Sequence, residues 1–481
     1  MRFAKRSGCS RVNTKSNIGS NVTRNKDSSI LNSLGVDRTR FAHIGVVLAW
    51  VQLSMMLTTG LFAESPNQQN RVRDRLWLWT HPAGCYNNDF IKNRSQKSTI
   101  EPVDAVQTMG LKNAYFIRYK DVPSLPFDAY YVPFKQLNQV TWSLTGASGV
   151  TSAEERNHVL ELAKKNKNIT NFIMDDFFHH TCHLPLHWLA EKNVMFPVTL
   201  TLRPERPTVA NQLRLVQSDW HTKDYRSKGF VVETSADGNI FDQVASGELP
   251  NEAAASHDVA LPEDPFVAIR IRILNTHDPE GSAQSCGLRR VELRHGSQLI
   301  GTDRWKGEAS SQYIHHIPWN VVADEATVPM PASLTPEQLA ELQGELELGG
   351  RRIPLHVVVY THQLVPRAAH HLRHVDAITM WTWAPVVLKD LEDNLTRLEQ
   401  LAPGKEIILG CYMYDFYEKQ PLPVDLMRQQ TESGYQWLRE GRIQGMIFLA
   451  SPICDLDLES VEWTRAWIHD HADELLPTHA P

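Results

Sequence analysis

Two adjacent carboxylates stand at the end of an apolar segment. The segment NFIMDDFFHH runs from Asn171 to His180, and its Asp175 and Asp176 follow residues typical of a buried strand. Two carboxylates held close together separate their pKa values, so that one keeps a proton and can act as an acid. Hydrolysis of a glycosidic bond requires a proton donor and a second group at the reacting centre. Because successive strand residues point to opposite faces, both aspartates reach one site only if the backbone turns between them.

Eight short apolar segments predict the elements that position these carboxylates. Several are nearly continuous in Val, Ile, Leu, Phe and Met, as expected of strands covered on both faces, and amphipathic helical patterns lie between many of them. The predicted strands span residues 75–80, 113–119, 139–146, 169–175, 355–362, 376–383, 406–414 and 444–451. This alternation predicts an α/β fold, a (β/α)8 TIM barrel.

The alternation stops between the fourth and fifth predicted strands. From about Thr181 to Met330, short strands separated by turns predict an all-β sandwich inserted into the barrel. Helical patterns resume at SLTPEQLAELQGEL, where Ser333 is the predicted N-cap. The predicted domains are a leader at 1–63, the first barrel half at 72–180, the inserted sandwich at 181–330 and the second barrel half at 331–475.

The C-terminal ends of the predicted strands supply the remaining candidate residues, because these ends surround the active-site mouth of a barrel. Aromatic rings stack on the apolar faces of sugars, and carboxylates accept hydrogen bonds from sugar hydroxyls. The predicted catalytic residues are Asp175, Asp176 and Asp415. The predicted substrate-binding residues are Trp79, Trp142, Tyr360, His362, Trp381, Trp383, Tyr412 and Tyr414. Few Lys or Arg residues lie at these ends, which disfavours a phosphate ligand, and no cofactor is expected.

The beginning of the chain predicts export. A basic stretch precedes an uncharged apolar segment at 44–61, and small residues up to Ala63 offer a cleavage site for a signal peptidase. An uncleaved N-terminal membrane anchor is the alternative, because the apolar segment is about one membrane span long. We expect a secreted or periplasmic protein. The net charge of −6 gives no electrostatic argument for nucleic-acid binding.

The predicted sandwich resembles a known family of binding modules. Its strand and turn at Ser235, Asp237, Gly238 and Phe241, followed by the strand RIRI at 270–273, resemble the discoidin-type, galactose-binding-like module. The resemblance implies a jelly-roll fold that binds glycans or membrane surfaces through its loops. Trp220, Tyr225 and Trp305 are the aromatic candidates for such binding, although each is equally suited to packing.

The paired aspartates carry a second resemblance. NFIMDDFF resembles the fourth-strand signature of substrate-assisted N-acetylhexosaminidases, especially the O-GlcNAcase-type barrel. The resemblance implies that Asp175 orients the acetamido group of the substrate and that Asp176 is the general acid and base. CYMYDF, which contains Asp415, resembles part of a strand of chitinase-like barrels, but the fourth-strand chitinase pattern is absent. In the two-carboxylate retaining mechanism, Asp176 and Asp415 occupy the places of acid and nucleophile on strands four and seven.

The predicted function is hydrolysis of glycosidic bonds by an exported protein whose partner is a carbohydrate. Two alternatives stay open. His179, His180, Cys182, His183 and His362 could hold a divalent metal beside the aspartates, which would give a metal-dependent hydrolase. A non-catalytic carbohydrate-binding protein is the other alternative, because no Glu ends strand four or strand seven, and an aspartate at a strand end often caps the following turn.

Overall fold

The structure is a computed structural model and describes residues 70–180, 183–220, 223–302 and 304–477. The predicted leader, signal peptide or anchor at 1–63 lies outside these residues. The strands are β1 (Leu76–Thr80), β2 (Asn113–Arg118), β3 (Gln139–Gly146), β4 (Ile169–Met174), β5 (Trp188–Leu189), β6 (Val198–Arg203), β7 (Gln212–Gln217), β8 (Gly229–Ser235), β9 (Asp242–Glu248), β10 (Ser256–Ala260), β11 (Ala268–Ile273), β12 (Gly287–His295), β13 (Gln298–Leu299), β14 (Lys306–Ala309), β15 (Glu347–Leu348), β16 (Arg351–Arg352), β17 (Leu355–Tyr360), β18 (Ala377–Trp381), β19 (Glu406–Tyr412), β20 (Tyr414–Asp415), β21 (Gln420–Pro421) and β22 (Gly445–Leu449). The α-helices are α1 (Pro102–Thr108), α2 (Asp128–Tyr131), α3 (Ala153–Lys165), α4 (Pro336–Glu345), α5 (Ala369–Leu372), α6 (Leu391–Leu401), α7 (Val424–Glu440) and α8 (Glu459–His471).

Eight of the strands form a closed barrel. Their order is β1-β2-β3-β4-β17-β18-β19-β22, every neighbouring pair is parallel, and β22 pairs with β1 to complete the closure. All five residues of β1 and all five of β22 are buried, which is why these segments are continuously apolar in the sequence. The predicted closed barrel of eight parallel strands is confirmed.

Helical segments lie between successive barrel strands, but their lengths are uneven. α7 has 17 residues, whereas α2 and α5 have four each and adjoin 3-10 turns at 132–136 and 366–368. The outer layer of the barrel is therefore only partly α-helical. None of the helices in the described ranges has the length and apolar character needed to cross a membrane.

The helix ends follow local capping rules. The Ser152 hydroxyl accepts a hydrogen bond from Glu155 N at 3.1 Å and begins α3. α7 ends at Gly441, whose φ of 76° is the left-handed conformation that glycine adopts readily. The predicted N-cap of α4 was wrong by two residues, because Thr335 and not Ser333 accepts the capping hydrogen bond.

The segment between β4 and β17 contains two antiparallel sheets. One sheet has the order β10-β7-β12-β13, with β5 paired to β12, and the other has the order β14-β6-β11-β8-β9. In β7, burial alternates residue by residue, so that its Leu213, Leu215 and Gln217 side chains face the core between the sheets. The predicted all-β sandwich in this part of the chain is confirmed.

Aromatic side chains fill the barrel interior. Trp79 stacks on Tyr115 with ring centroids 6.0 Å apart, and Trp381 meets Trp79 edge-on at 5.1 Å. A Cβ atom at Gly410 would come within 2.1 Å of the Trp381 indole, so this position in β19 requires glycine. The barrel is thereby a packed core, closed below the C-terminal ends of its strands.

Arg367 joins the chain segments that enter and leave the sandwich. Its Nε donates to Val328 O at 2.9 Å, and its Nη1 and Nη2 donate to Leu184 O at 3.4 Å and to Pro329 O at 3.3 Å. Arg367 is only 4% exposed, so its guanidinium has little access to water in place of these carbonyls. This guanidinium fixes the sandwich connections against the barrel.

We expect Arg367→Met to lower the free energy of unfolding by about 2–4 kcal/mol, because it removes a buried charged donor that bonds backbone carbonyls of both connections. Chemical denaturation monitored by circular dichroism measures the effect. The exposed Arg373→Met is the matched control and should change stability little. Equal effects of the two substitutions would show that Arg367 does not anchor the connections.

Candidate functional site

Asp175 and Asp176 lie directly after β4, at the C-terminal end of the barrel. Asp176 has a φ of 44°, in the left-handed region that residues other than glycine seldom adopt. The backbone therefore turns between the two aspartates, which breaks the strand alternation. Asp175 stays buried inside the barrel, whereas Asp176 lines a cavity.

Asp175 is held by hydrogen bonds on its backbone and its carboxylate. Its N donates to the Thr145 hydroxyl at 2.9 Å, and its Oδ1 accepts from Asp176 N at 2.9 Å. Burial, and then the charge of Asp176, raise the pKa of Asp175 well above its ordinary value. The neighbouring charge of Asp176 therefore adds to burial in disfavouring the ionised form of Asp175, which keeps its proton to higher pH than an ordinary aspartate.

Tyr360 at the end of β17 is the hydrogen-bond partner of Asp176. Its hydroxyl donates to Asp176 Oδ1 at 2.6 Å. Burial, then the neighbouring Tyr412 and the two aspartates, raise the pKa of Tyr360 well above its ordinary value. The Tyr360 phenol thus stays protonated and stabilises negative charge on Asp176.

The loop after β3 packs on the backbone of Asp176. A Cβ atom at Gly149 would lie 2.5 Å from Asp176 O and 2.8 Å from Ser333 Oγ, and Gly149 has a φ of 70°. Ser333 N in turn donates to Phe177 O at 2.8 Å. Gly149 and Ser333 together hold the turn that aims Asp176 at the cavity.

A cavity of about 530 Å³ opens beside Asp176, within the size range of small-molecule sites. Three predicted substrate-binding residues, Tyr360, His362 and Trp383, line it together with Asp176. The described residues of its lining are Ser148, Asp176, Phe178, His179, His180, Tyr360, His362, Gln363 and Trp383. One carboxylate, several rings and amide or hydroxyl groups are the combination that binds a polyhydroxylated ligand.

Three further predicted substrate-binding residues support the cavity from below. Trp381 packs against Tyr412 with centroids 5.2 Å apart, and Tyr412 meets Trp383 edge-on at 5.9 Å. Trp79 lies deeper, against Trp381, and both tryptophans are almost fully buried. Tyr412, Trp381 and Trp79 therefore position the cavity lining from behind.

Trp142 and Tyr414 are not brought to the site. Trp142 is fully buried on the outer side of β3, with its ring centroid 4.3 Å from that of Phe116. Its neighbours Thr141 and Ser143 face inward, so strand alternation turns Trp142 towards the helical layer. Tyr414 is also buried.

Asp415, predicted to be catalytic, instead closes a turn. Its Oδ1 accepts from Glu418 N at 3.0 Å, and its Oδ2 accepts from Gln420 Nε2 at 3.3 Å. The residue is 5% exposed in the short β20–β21 hairpin. Its carboxylate satisfies the turn, as aspartates near strand ends often do.

The histidines after β4 do collect near the cavity. His179 and His180 line it, and the His183 ring lies 4.7 Å from that of His362. Within the described ranges, however, no three His, Cys, Asp or Glu side chains form a group able to hold a metal ion. The metal-dependent alternative therefore lacks a ligand set among these residues, and Cys182 lies outside them.

Of the three aromatic candidates of the sandwich, two are almost fully buried and are packing residues. Trp305 and Tyr225 are 6% and 4% exposed. Trp220 is half-buried, and its ring lies edge-on to His316 at 4.6 Å.

The sequence reasoning missed Thr145 and Gly149, which position the aspartates. Both lie in the segment TGASG between Thr145 and Gly149, whose two glycines signalled a tight turn after β3. Its packing against Asp176 depends on the barrel closing, which no local pattern indicates.

Comparisons with known proteins found solved structures but no family. No protein-family model and no curated protein matches the chain. The matched structures include CpGH89CBM32-5 from Clostridium perfringens in complex with GalNAc-β-1,3-galactose, at 14% identity and a TM-score of 0.21, over 25% of this chain and 84% of that one. A putative chitobiase fragment from Bacteroides thetaiotaomicron matches at 17% identity and a TM-score of 0.20, over 23% and 70%. The family 32 carbohydrate-binding module of Streptococcus pneumoniae EndoD matches at 8% identity and a TM-score of 0.18, over 21% and 73%. TM-scores this low assign neither fold nor ligand to this chain.

We expect Asp175→Asn to stabilise the protein more at about pH 8 than at about pH 4. An unfolded aspartate loses its proton near pH 4, but folded Asp175 keeps it to higher pH. The folded state therefore binds more protons between these values, and its stability falls as pH rises. Asn cannot ionise, so the variant does not lose this stability as the pH rises. Thermal unfolding of both proteins across this range measures the difference.

Asp237→Asn provides a control of opposite sign. Backbone hydrogen bonds from Asn239 and Ile240 lower the pKa of Asp237, so this substitution should lose stability at high pH and little at low pH. A pH-independent effect of Asp175→Asn would contradict the raised pKa.

Gly149→Ala should displace Asp176, because the new methyl group collides with the Asp176 carbonyl. Any activity that depends on Asp176 should fall by about a hundredfold, as expected of a misplaced reacting group. Gly404→Ala is the matched control: Gly404 has a similar φ of 75° but no atom within 4 Å of the added Cβ. Gly404→Ala should lose only the stability that the positive φ costs and should keep its activity, and equal losses of activity in the two variants would refute the positioning role of Gly149.

Proposed function

We propose that the mouth of the barrel binds and hydrolyses a glycoside, with Asp176 as general acid and base. The observation that carries this proposal is the cavity-facing Asp176 carboxyl, bonded to Tyr360 at 2.6 Å and backed by a buried, proton-holding Asp175. A carboxylic acid in this position can donate the proton that the leaving sugar oxygen requires. The barrel is proposed to be a (β/α)8 barrel of the glycoside hydrolase type.

Before bond cleavage the proton held by Asp175 passes to Asp176, whose carboxyl faces the cavity where the leaving oxygen is proposed to lie. Bond cleavage transfers this proton to the leaving group, and the Tyr360 hydroxyl stabilises the carboxylate that forms. Asp175 carries the complementary charge and positions the reacting group of the substrate. Asp176 then accepts a proton from the attacking water in the second half of the reaction.

The substrate's own acetamido group is the proposed nucleophile. Asp176 is the one carboxylate among the described residues that line the cavity, so a second protein carboxylate does not supply this role there. The resemblance of NFIMDDFF to substrate-assisted N-acetylhexosaminidases supports an acetamido nucleophile oriented by Asp175. The proposed substrates are therefore glycosides of N-acetylated amino sugars.

The predicted export, by secretion or with an N-terminal anchor, fits a glycan substrate and belongs to this proposal. Glycan binding by the sandwich, implied by its discoidin-type resemblance, belongs to it as well. Because Tyr225 and Trp305 are almost fully buried, such binding would use other residues of the sandwich.

A second candidate function is carbohydrate binding without catalysis. The same observation of a single cavity-lining carboxylate among the described residues favours it, because a binding site needs no nucleophile. Tyr360, His362 and Trp383 would then serve as a sugar-stacking surface alone.

Hydrolysis of aryl glycosides tests the proposal. We expect the protein to cleave aryl N-acetyl-β-glucosaminides and not the matching β-glucosides, which lack the acetamido nucleophile. Asp176→Asn should lower kcat/KM by about 10²–10⁴-fold, with larger losses for phenol than for dinitrophenol as leaving group, because dinitrophenol needs no proton. Circular dichroism confirms folding of the variant. Binding of N-acetylglucosamine without turnover of any aryl glycoside would favour the second candidate.

A further inference from the structure

Five histidines form a cluster at the outer side of the cavity. We call His179, His180, His183, His315 and His362 the histidine cluster. The first three follow β4, His362 follows β17, and His315 belongs to the segment that leaves the sandwich. Barrel and insertion therefore both contribute to this one surface.

The rings of the cluster lie close to one another. His179 is 4.8 Å from His315, and His183 is 4.7 Å from His362, measured between ring centroids. His180 is near enough to His179, His183 and His362 for its charge to lower the pKa of each. The five imidazoles thus share one environment.

His315 is held in its place by an unusual backbone conformation. Its φ of 65° lies in the left-handed region, which is unfavourable for a histidine. The amide of the buried Asn320 donates to His315 O at 3.0 Å and to His187 O at 2.9 Å. The sandwich therefore maintains a strained turn that brings this ring against His179.

Tyr360 connects the cluster to the aspartates. Its ring stacks on that of His362 with centroids 5.6 Å apart and an interplanar angle of 5°, while its hydroxyl bonds Asp176. Tyr360 also meets Trp383 edge-on, with ring centroids 5.9 Å apart. A ligand bound at Asp176 can therefore contact both Trp383 and the histidine cluster.

The electrostatics of this surface favour an uncharged ligand. Burial, then the charges of His183 and His180, lower the pKa of His362 to about 4, and burial and His315 lower the pKa of His179. These two rings are neutral at pH 7. The described lining of the cavity contains no Lys or Arg that could balance an acidic sugar. A neutral imidazole offers one donor and one acceptor, which suits hydroxyl groups.

We propose that the histidine cluster is the subsite for the leaving-group saccharide of the substrate, and that it takes an uncharged, hydroxyl-rich sugar unit. This inference rests on the proposed function. It adds the residues that recognise the sugar on the far side of the cleaved bond, and it assigns the inserted sandwich a direct part in that recognition through His315.

The test compares two substrates that differ only in the leaving group. Diacetylchitobiose places a sugar in the proposed subsite, whereas N-acetylglucosaminyl fluoride places a single atom there. We expect His315→Ala to lower kcat/KM for diacetylchitobiose at least tenfold more than for the fluoride. The exposed sandwich residue His295 gives the matched control, and His295→Ala should change neither value.

Equal losses on the two substrates, or no loss on either, would overturn the subsite. A second arm replaces the leaving sugar of diacetylchitobiose by a uronic acid, and efficient cleavage of this acidic disaccharide at pH 7 would overturn the preference for an uncharged unit.

If the protein has no hydrolase activity, a binding measurement distinguishes this outcome from failure of the subsite. If the wild-type protein cleaves neither substrate, calorimetric titration with diacetylchitobiose still tests the cluster. Binding weakened at least tenfold by His315→Ala, and not by His295→Ala, would support a saccharide subsite in a binding protein. Equal affinity of all three proteins, or no binding, would overturn it.

Discussion

The site depends on the cost of placing two carboxylates next to each other inside a barrel. Burial and the neighbouring charge of Asp176 disfavour the ionised form of Asp175 and raise its pKa well above the ordinary value. The surrounding structure fits this constraint: Thr145 fixes the backbone of Asp175, and the left-handed turn at Asp176 lets its carboxyl leave the interior. Tyr360 then supplies a hydrogen bond to the carboxyl that faces the cavity. The result is a cavity-facing carboxyl at the mouth of the barrel, next to a buried aspartate that keeps its proton to higher pH than usual.

The sandwich is inserted at the same end of the barrel as the paired aspartates. It begins directly after the aspartates, so the connection that enters it passes the cavity. Arg367 holds both connections through their carbonyls, and the strained turn at His315 places its ring 4.8 Å from that of His179, which lines the cavity. The segment that leaves the sandwich thus contributes a side chain beside the cavity lining.

Patterns that extend over a whole element were readable from the sequence. The eight strands were predictable because strands buried on both faces are continuously apolar, and the sandwich because its strands alternate. Asp175 and Asp176 were recognisable because they interrupt an apolar strand at its end. Tertiary contacts could not be predicted from the sequence. Trp142 points outwards because its position in β3 alternates with inward-facing neighbours, and the Asp415 carboxylate accepts hydrogen bonds within its own hairpin. Gly149 gains its importance only where two distant loops meet.

Infrared difference spectroscopy between the wild-type protein and Asp175→Asn, recorded across the pH range, tests whether buried Asp175 keeps its proton at neutral pH. A protonated carboxylic acid has a carbonyl stretch distinct from that of a carboxylate. We expect the wild-type protein to retain one such protonated carboxyl band at pH 7. Asp175→Asn should remove this band, and Asp237→Asn should leave it in place. Loss of this band near pH 4, where ordinary aspartates titrate, would mean that both carboxyls are ionised and would contradict the account.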